Sequence, residues 1–151
     1  MASIGTGPKP GLQLRRTIAA TREWVWRAWT EEDGLRRWHA PGEAVVALAE
    51  VDLRIGGKWR VHMRSPDGTE YHVDGEYREI AAPARLVYTW RWAHAPDEHT
   101  LVTVEFMERE GGTEVILTHT DLGSDESRAR HEHGWLGCLA KLEQSARVAE
   151  R

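Results

Sequence analysis

Between Glu43 and His119, polar and apolar residues alternate with a period of two, and turn residues cut the alternation into short lengths. A chain patterned in this way pairs neighbouring segments as antiparallel strands, with one face buried and the other wet. Trp59, Val61 and Met63 alternate with Lys58, Arg60, His62 and Arg64. Pro66-Asp67-Gly68 turns the chain into Tyr71 to Ile80, and Pro83 separates that run from Leu86, Tyr88, Trp90 and Trp92, which share one side. Val102, Val104 and Phe106 follow, then the turn Gly111-Gly112 and the set Val115, Leu117, His119. With the mostly apolar run Val45 to Leu53 in front, five or six strands fit this stretch.

An apolar sheet face must be covered, and the flanking sequence supplies helices. From Ser124 onward no proline intervenes, and Trp135, Leu139, Leu142 and Ala146 recur at helical spacing, so a long C-terminal helix is expected to lay this stripe on the sheet. At the other end Leu12, Leu14 and Ile18 read as a first strand. Thr21 caps a short helix carrying Val25, Ala28 and Trp29, and a second begins near Glu31 and runs to Pro41. The order is strand, two short helices, meander, long helix. At 151 residues this is one domain, residues 12–151, after a leader of residues 1–11 that is expected to be flexible.

Several functional classes find no support. A net charge of -4 offers nucleic acid no bulk attraction. No apolar run is long enough to insert in a membrane, and the first residues lack the regions of a secretory signal, so a cytoplasmic location is expected. Cys138 is the single cysteine, read as a small buried thiol. Nucleophile-elbow, phosphate-loop and dinucleotide motifs are missing, and His131 and His133 are two apart, on different helix faces. Neither a metal site nor a cofactor is expected, and no catalytic residue is assigned.

Eight of the aromatic residues are Trp, against three Tyr and one Phe. If the rings between sheet and helix interdigitate fully they form an ordinary core; if they do not, an apolar cavity remains. The candidate lining is Trp59, Met63, Tyr71, Trp90 and Trp92 from strands and Trp135 from the long helix, with Trp38 closing one end. His119, by strand parity, and His131, one turn before Trp135, are the polar candidates for the same lining.

The runs Val25-Trp26-Arg27-Ala28-Trp29-Thr30, Leu35-Arg36-Arg37-Trp38-His39-Ala40-Pro41 and Asp52-Leu53-Arg54-Ile55-Gly56-Gly57-Lys58-Trp59 resemble bacterial single-domain members of the activator-of-heat-shock-ATPase-like (AHSA-type) family. The similarity continues through Pro83-Ala84-Arg85-Leu86-Val87-Tyr88-Thr89-Trp90, Leu117-Thr118-His119 and Gly134-Trp135, and covers about Leu12 to Val148. This family falls in the START-like, polyketide-cyclase-like superfamily. The resemblance implies an α+β helix-grip fold: a curved antiparallel sheet of six or seven strands around a long C-terminal helix, with two short helices after the first strand. It also implies pocket-facing roles for Trp59, Trp90, His119 and Trp135. At one point the chain departs from the family, with Trp38-His39-Ala40-Pro41 in place of the commoner Trp-Phe-Gly-Pro.

Relatives of this kind bind apolar small molecules, and only some catalyse reactions. Binding of an apolar or aromatic ligand is therefore the first functional expectation. A small cyclase-like or hydrolase-like enzyme using His119 or His131 as acid or base is a second. A stress-related interaction protein, with self-association as a homodimer open, is a third. The eukaryotic co-chaperone of the family carries a separate amino-terminal domain that makes much of the chaperone contact. No such domain is expected here, so chaperone contact is not inferred.

Overall fold

A computed structural model describes residues 11–149, so all of the expected leader except Gly11 lies outside the described residues. Seven strands form one antiparallel sheet in the order β1-β7-β6-β5-β4-β3-β2: β1 (Leu12–Ile18), β2 (Val45–Val51), β3 (Lys58–Arg64), β4 (Glu70–Ala81), β5 (Arg85–Trp92), β6 (Thr100–Arg109) and β7 (Gly112–Thr120). The sheet curls into a half-barrel around the helices, as expected of a helix-grip fold. Helices α1 (Arg22–Thr30) and α2 (Glu32–Trp38) follow β1, and α3 (Asp125–Ala149) closes the order. No described helix is long and apolar enough to cross a membrane.

The local causes are visible at the starts of α1 and α3. The Trp24 backbone N–H donates to Thr21 Oγ1 at 3.1 Å, and the Ser127 N–H donates to Ser124 Oγ at 3.0 Å, so these two helices have a side-chain cap for a backbone donor that would otherwise be unpaired. Gly34 lets α2 cross close over α1, since a Cβ there would lie 2.6 Å from the Ala28 Cα. The Trp38 indole crosses the same junction and donates to the Ala28 carbonyl at 2.8 Å.

The concave face is filled unevenly. Beneath α1 the packing is solid: Trp26 and Trp29 each meet Phe106 edge-on, with ring centroids 5.7 Å apart. Along the C-terminal half of α3, Leu139, Leu142 and Ala146 are buried, Glu143 pairs with Arg16 of β1 at 2.8 Å, and Lys141 donates to the Ala44 carbonyl at 2.7 Å. The two expectations for the rings, close-packed core and cavity, hold in different places, because the N-terminal half of α3 stands away from β3, β4 and β5.

Candidate functional site

Between that half of α3 and the sheet lies a cavity of about 600 Å³. This is within the range of small-molecule sites. Met63 of β3, Tyr71 of β4, Trp90 and Trp92 of β5 supply the sheet wall; Ser127, His131, Gly134, Trp135 and Cys138 supply the helix wall. The helical set recurs at intervals of three and four residues, so one face of α3 presents it. His39, Pro41 and Ala44, from the connection between α2 and β2, close one end, while Glu43, Ser65, His94, Glu98 and Arg130 also border the space. Those charged side chains are exposed, so the cavity has an aromatic interior and a charged rim.

Of the nine residues expected to line a pocket, Met63, Tyr71, Trp90, Trp92, His131 and Trp135 border this cavity. Trp38, Trp59 and His119 do not, and the expectation is corrected for them. Trp38 is buried behind His39 and bonded to α1, so it does not close the cavity's end. Trp59 donates to the Thr89 carbonyl at 3.2 Å and, with His39, Trp29, Leu35, Tyr77 and Tyr88, borders a separate void of about 10 Å³, room for no more than a water molecule. His119 is fully buried one layer deeper than the wall.

His119 nevertheless orders the wall. An indole can only donate, so Trp135 Nε1, at 3.1 Å from His119 Nδ1, makes that nitrogen the acceptor. The remaining proton is then on Nε2, which donates to Thr100 Oγ1 at 2.7 Å, and the Thr100 hydroxyl in turn donates to the Trp90 carbonyl at 3.1 Å. Burial, assisted by the neighbouring His131, pushes the His119 pKa down to about 3. His131 is held by the same logic. Its Nε2 accepts from Trp92 Nε1 at 2.9 Å, and its Nδ1 donates to the Ser127 carbonyl at 2.7 Å. Burial lowers its pKa as well. Both nitrogens of each ring are therefore engaged in hydrogen bonds, and burial favours the neutral form of both.

The histidine that sequence reasoning did not place in the lining is His39. It is 3% exposed and is surrounded by the rings of Trp38, Trp59, Trp90 and Trp135. Burial pushes its pKa down to about 4, opposed by its own carbonyl, which does not reach hydrogen-bond geometry, and Nδ1 has no partner among the described residues. The buried indole nitrogen of Trp90 has none either. An unpaired buried polar atom costs about 1 to 3 kcal/mol, so both are conspicuous in one wall. The only sequence signal for His39 was its replacement of the commoner Phe.

Cys138 borders the cavity as a thiol rather than a thiolate, since burial pushes its pKa up to about 12. Among the described residues no three His, Cys, Asp or Glu side chains come together in a way that could hold a metal ion.

The sequence matches the family model for activator of Hsp90 ATPase homolog 1-like protein over residues 19–147. The solved structure of the AHSA1 protein from Silicibacter pomeroyi is similar, with a TM-score of 0.83 and 27% identity over 93% of this chain and 99% of that one. A protein from Nitrosomonas europaea gives a TM-score of 0.79 and 26% identity over 93% and 96% of the two chains. The AHSA1-like protein from Aeromonas hydrophila gives 0.76 and 27% over 93% and 94%. No curated protein matches the chain.

Proposed function

The chain belongs to the activator of Hsp90 ATPase homolog 1-like family, and on that premise we propose that it binds an apolar or aromatic small molecule between its sheet and α3. The observation that carries this reading is the 600 Å³ cavity walled by Trp90, Trp92, Trp135, Tyr71 and Met63. Such rings offer a large contact area at little cost in side-chain entropy. The hydrogen bonds from Trp135 to His119 and from Trp92 to His131 fix two of the indoles in place, so the wall is preorganised rather than free to collapse.

Three of the wall residues are tryptophans, so occupancy reports on itself. Titration with fatty acids, sterols and aromatic metabolites is expected to give a saturable change in intrinsic tryptophan emission with at least one class. A flat response across the whole panel, with the protein folded, would contradict the proposal.

A further inference from the structure

We propose that the Trp92–His131 hydrogen bond is an acid-sensitive latch on the cavity: a proton on His131 breaks it, lets the N-terminal half of α3 part from β5 and releases the ligand. This adds regulation to the binding role just proposed and rests on that role for its ligand.

The N-terminal half of α3 reaches the sheet through two indole-to-imidazole bonds, Trp135 to His119 at 3.1 Å and Trp92 to His131 at 2.9 Å. Each needs a neutral histidine, because an indole can only donate and an imidazolium has no acceptor. The two pairs differ in access. His119 is fully buried with its pKa at about 3, so mild acid leaves the deeper bond intact. Trp92 and His131 are only half-buried and both border the cavity, so this pair is the one that meets solvent.

His131 Nδ1 already donates to the Ser127 carbonyl at 2.7 Å, which leaves Nε2 to take a second proton. A proton there faces the Trp92 N–H across 2.9 Å, two donors with no acceptor between them, so one of the rings must turn aside. The titratable and charged neighbours of His131 are His119 from β7, His94 and Glu98 from the connection between β5 and β6, and Arg130 from α3 itself. Burial holds the His131 pKa below its ordinary value; the Ser127 carbonyl and Glu98 oppose this, while Arg130 and His94 add to it. Glu98 is the acid among these neighbours and borders the same cavity, so it is the counter-ion for a protonated ring that has left Trp92. Ligand and proton then compete. Binding is at full strength while His131 is neutral and weakens as pH falls through its depressed pKa, by at most about tenfold per pH unit for one proton.

The test follows the Trp92 indole N–H and the His131 ring by NMR in the isotope-labelled full chain, first alone and then titrated with naphthol at about pH 7.5 and about pH 5, where naphthol, like any phenol, is neutral. In the free chain the Trp92 signal is expected to move upfield and exchange faster with water at the same midpoint as His131, while the Trp135 signal stays in place. Naphthol is expected to bind about tenfold more weakly at the lower pH. In His131→Gln, whose amide offers an acceptor but does not titrate, the two affinities should converge. In Trp92→Phe, which removes the donor but keeps a ring, the His131 midpoint should rise towards its ordinary value. The spread of the remaining indole signals shows whether each variant is folded. A Trp92 signal that does not follow His131 overturns the latch whether or not naphthol binds. Equal naphthol affinity at both pH values in the parent chain, or an undiminished pH effect in His131→Gln, overturns ligand release while leaving the binding role intact. If naphthol moves no signal at either pH, the binding role fails and ligand release fails with it.

Discussion

His119 and His131 show how a tryptophan can decide what a histidine does. A donor-only indole facing a ring nitrogen forces it to accept, and protonation would set two donors against each other. His39 is uncharged for a simpler reason, burial among four indoles. The folded pKa values of His39, about 4, and His119, about 3, lie below the ordinary 6.5, so between those values the unfolded chain binds the protons. Stability is therefore fully present above about pH 6.5 and falls with decreasing pH, by up to about 1.4 kcal/mol per unit for each such histidine. Urea unfolding at mildly acidic and neutral pH should show the loss, and His39→Phe should reduce it. A curve flat over that window would contradict the assignment. His119→Ala leaves the Trp135 N–H unpaired, takes the donor away from Thr100 Oγ1 and opens a void, and should cost about 3 kcal/mol in the same measurement. Strand parity made His119 readable as an inward residue. It carried no information on depth, which is why His119 was expected on the wall. His39 follows the last residue of α2, where no periodicity applies, and so was missed.

At the scale of elements, patterning was informative wherever one face is buried. The alternation of Trp59, Val61 and Met63 with charged residues, and the stripe from Trp135 to Ala146, correspond to buried faces of β3 and α3. The run Val45 to Leu53 was less instructive. It becomes the edge strand β2, ending at Val51, with an irregular register between Val46 and Leu48 and with Val45 exposed. Periodicity marks which face is inward, but not which part of that face meets a helix, and this is why Trp38 and Trp59 were grouped with the residues that border the cavity. Gly75 of β4 is a position where shape leaves no choice. A Cβ there would lie 1.8 Å from the Thr89 carbonyl oxygen and 2.5 Å from Trp59 Nε1, the two ends of one hydrogen bond. Gly75→Ala should therefore destabilise the protein by about 3 kcal/mol, as measured by chemical denaturation. A near-neutral result would mean that β4 and β5 are less closely apposed than described.

For the molecule as a whole, α3 is anchored unequally. Its C-terminal half is packed on β1 and tied by Glu143 and Lys141, while its N-terminal half spans the cavity and meets the sheet through the Trp92–His131 and Trp135–His119 bonds. A ligand seated beneath that half should raise the stability of the whole fold, by about 2.7 kcal/mol at a hundred times its dissociation constant. Gly134 isolates the cavity from the rest. It borders the space, sits within α3, and a Cβ placed on it meets nothing within 4 Å. Glycine inside a helix is about 1 kcal/mol worse than alanine, so a larger residue here should leave stability equal or higher while its side chain occupies the ligand's place. The decisive measurement is a naphthol titration of the parent chain and Gly134→Phe, each with a thermal melt. Saturable binding by the parent, weakened by about tenfold or more in a variant that melts no lower, is the expected result. Unchanged affinity in a well-folded Gly134→Phe would place the ligand elsewhere and contradict the cavity's role.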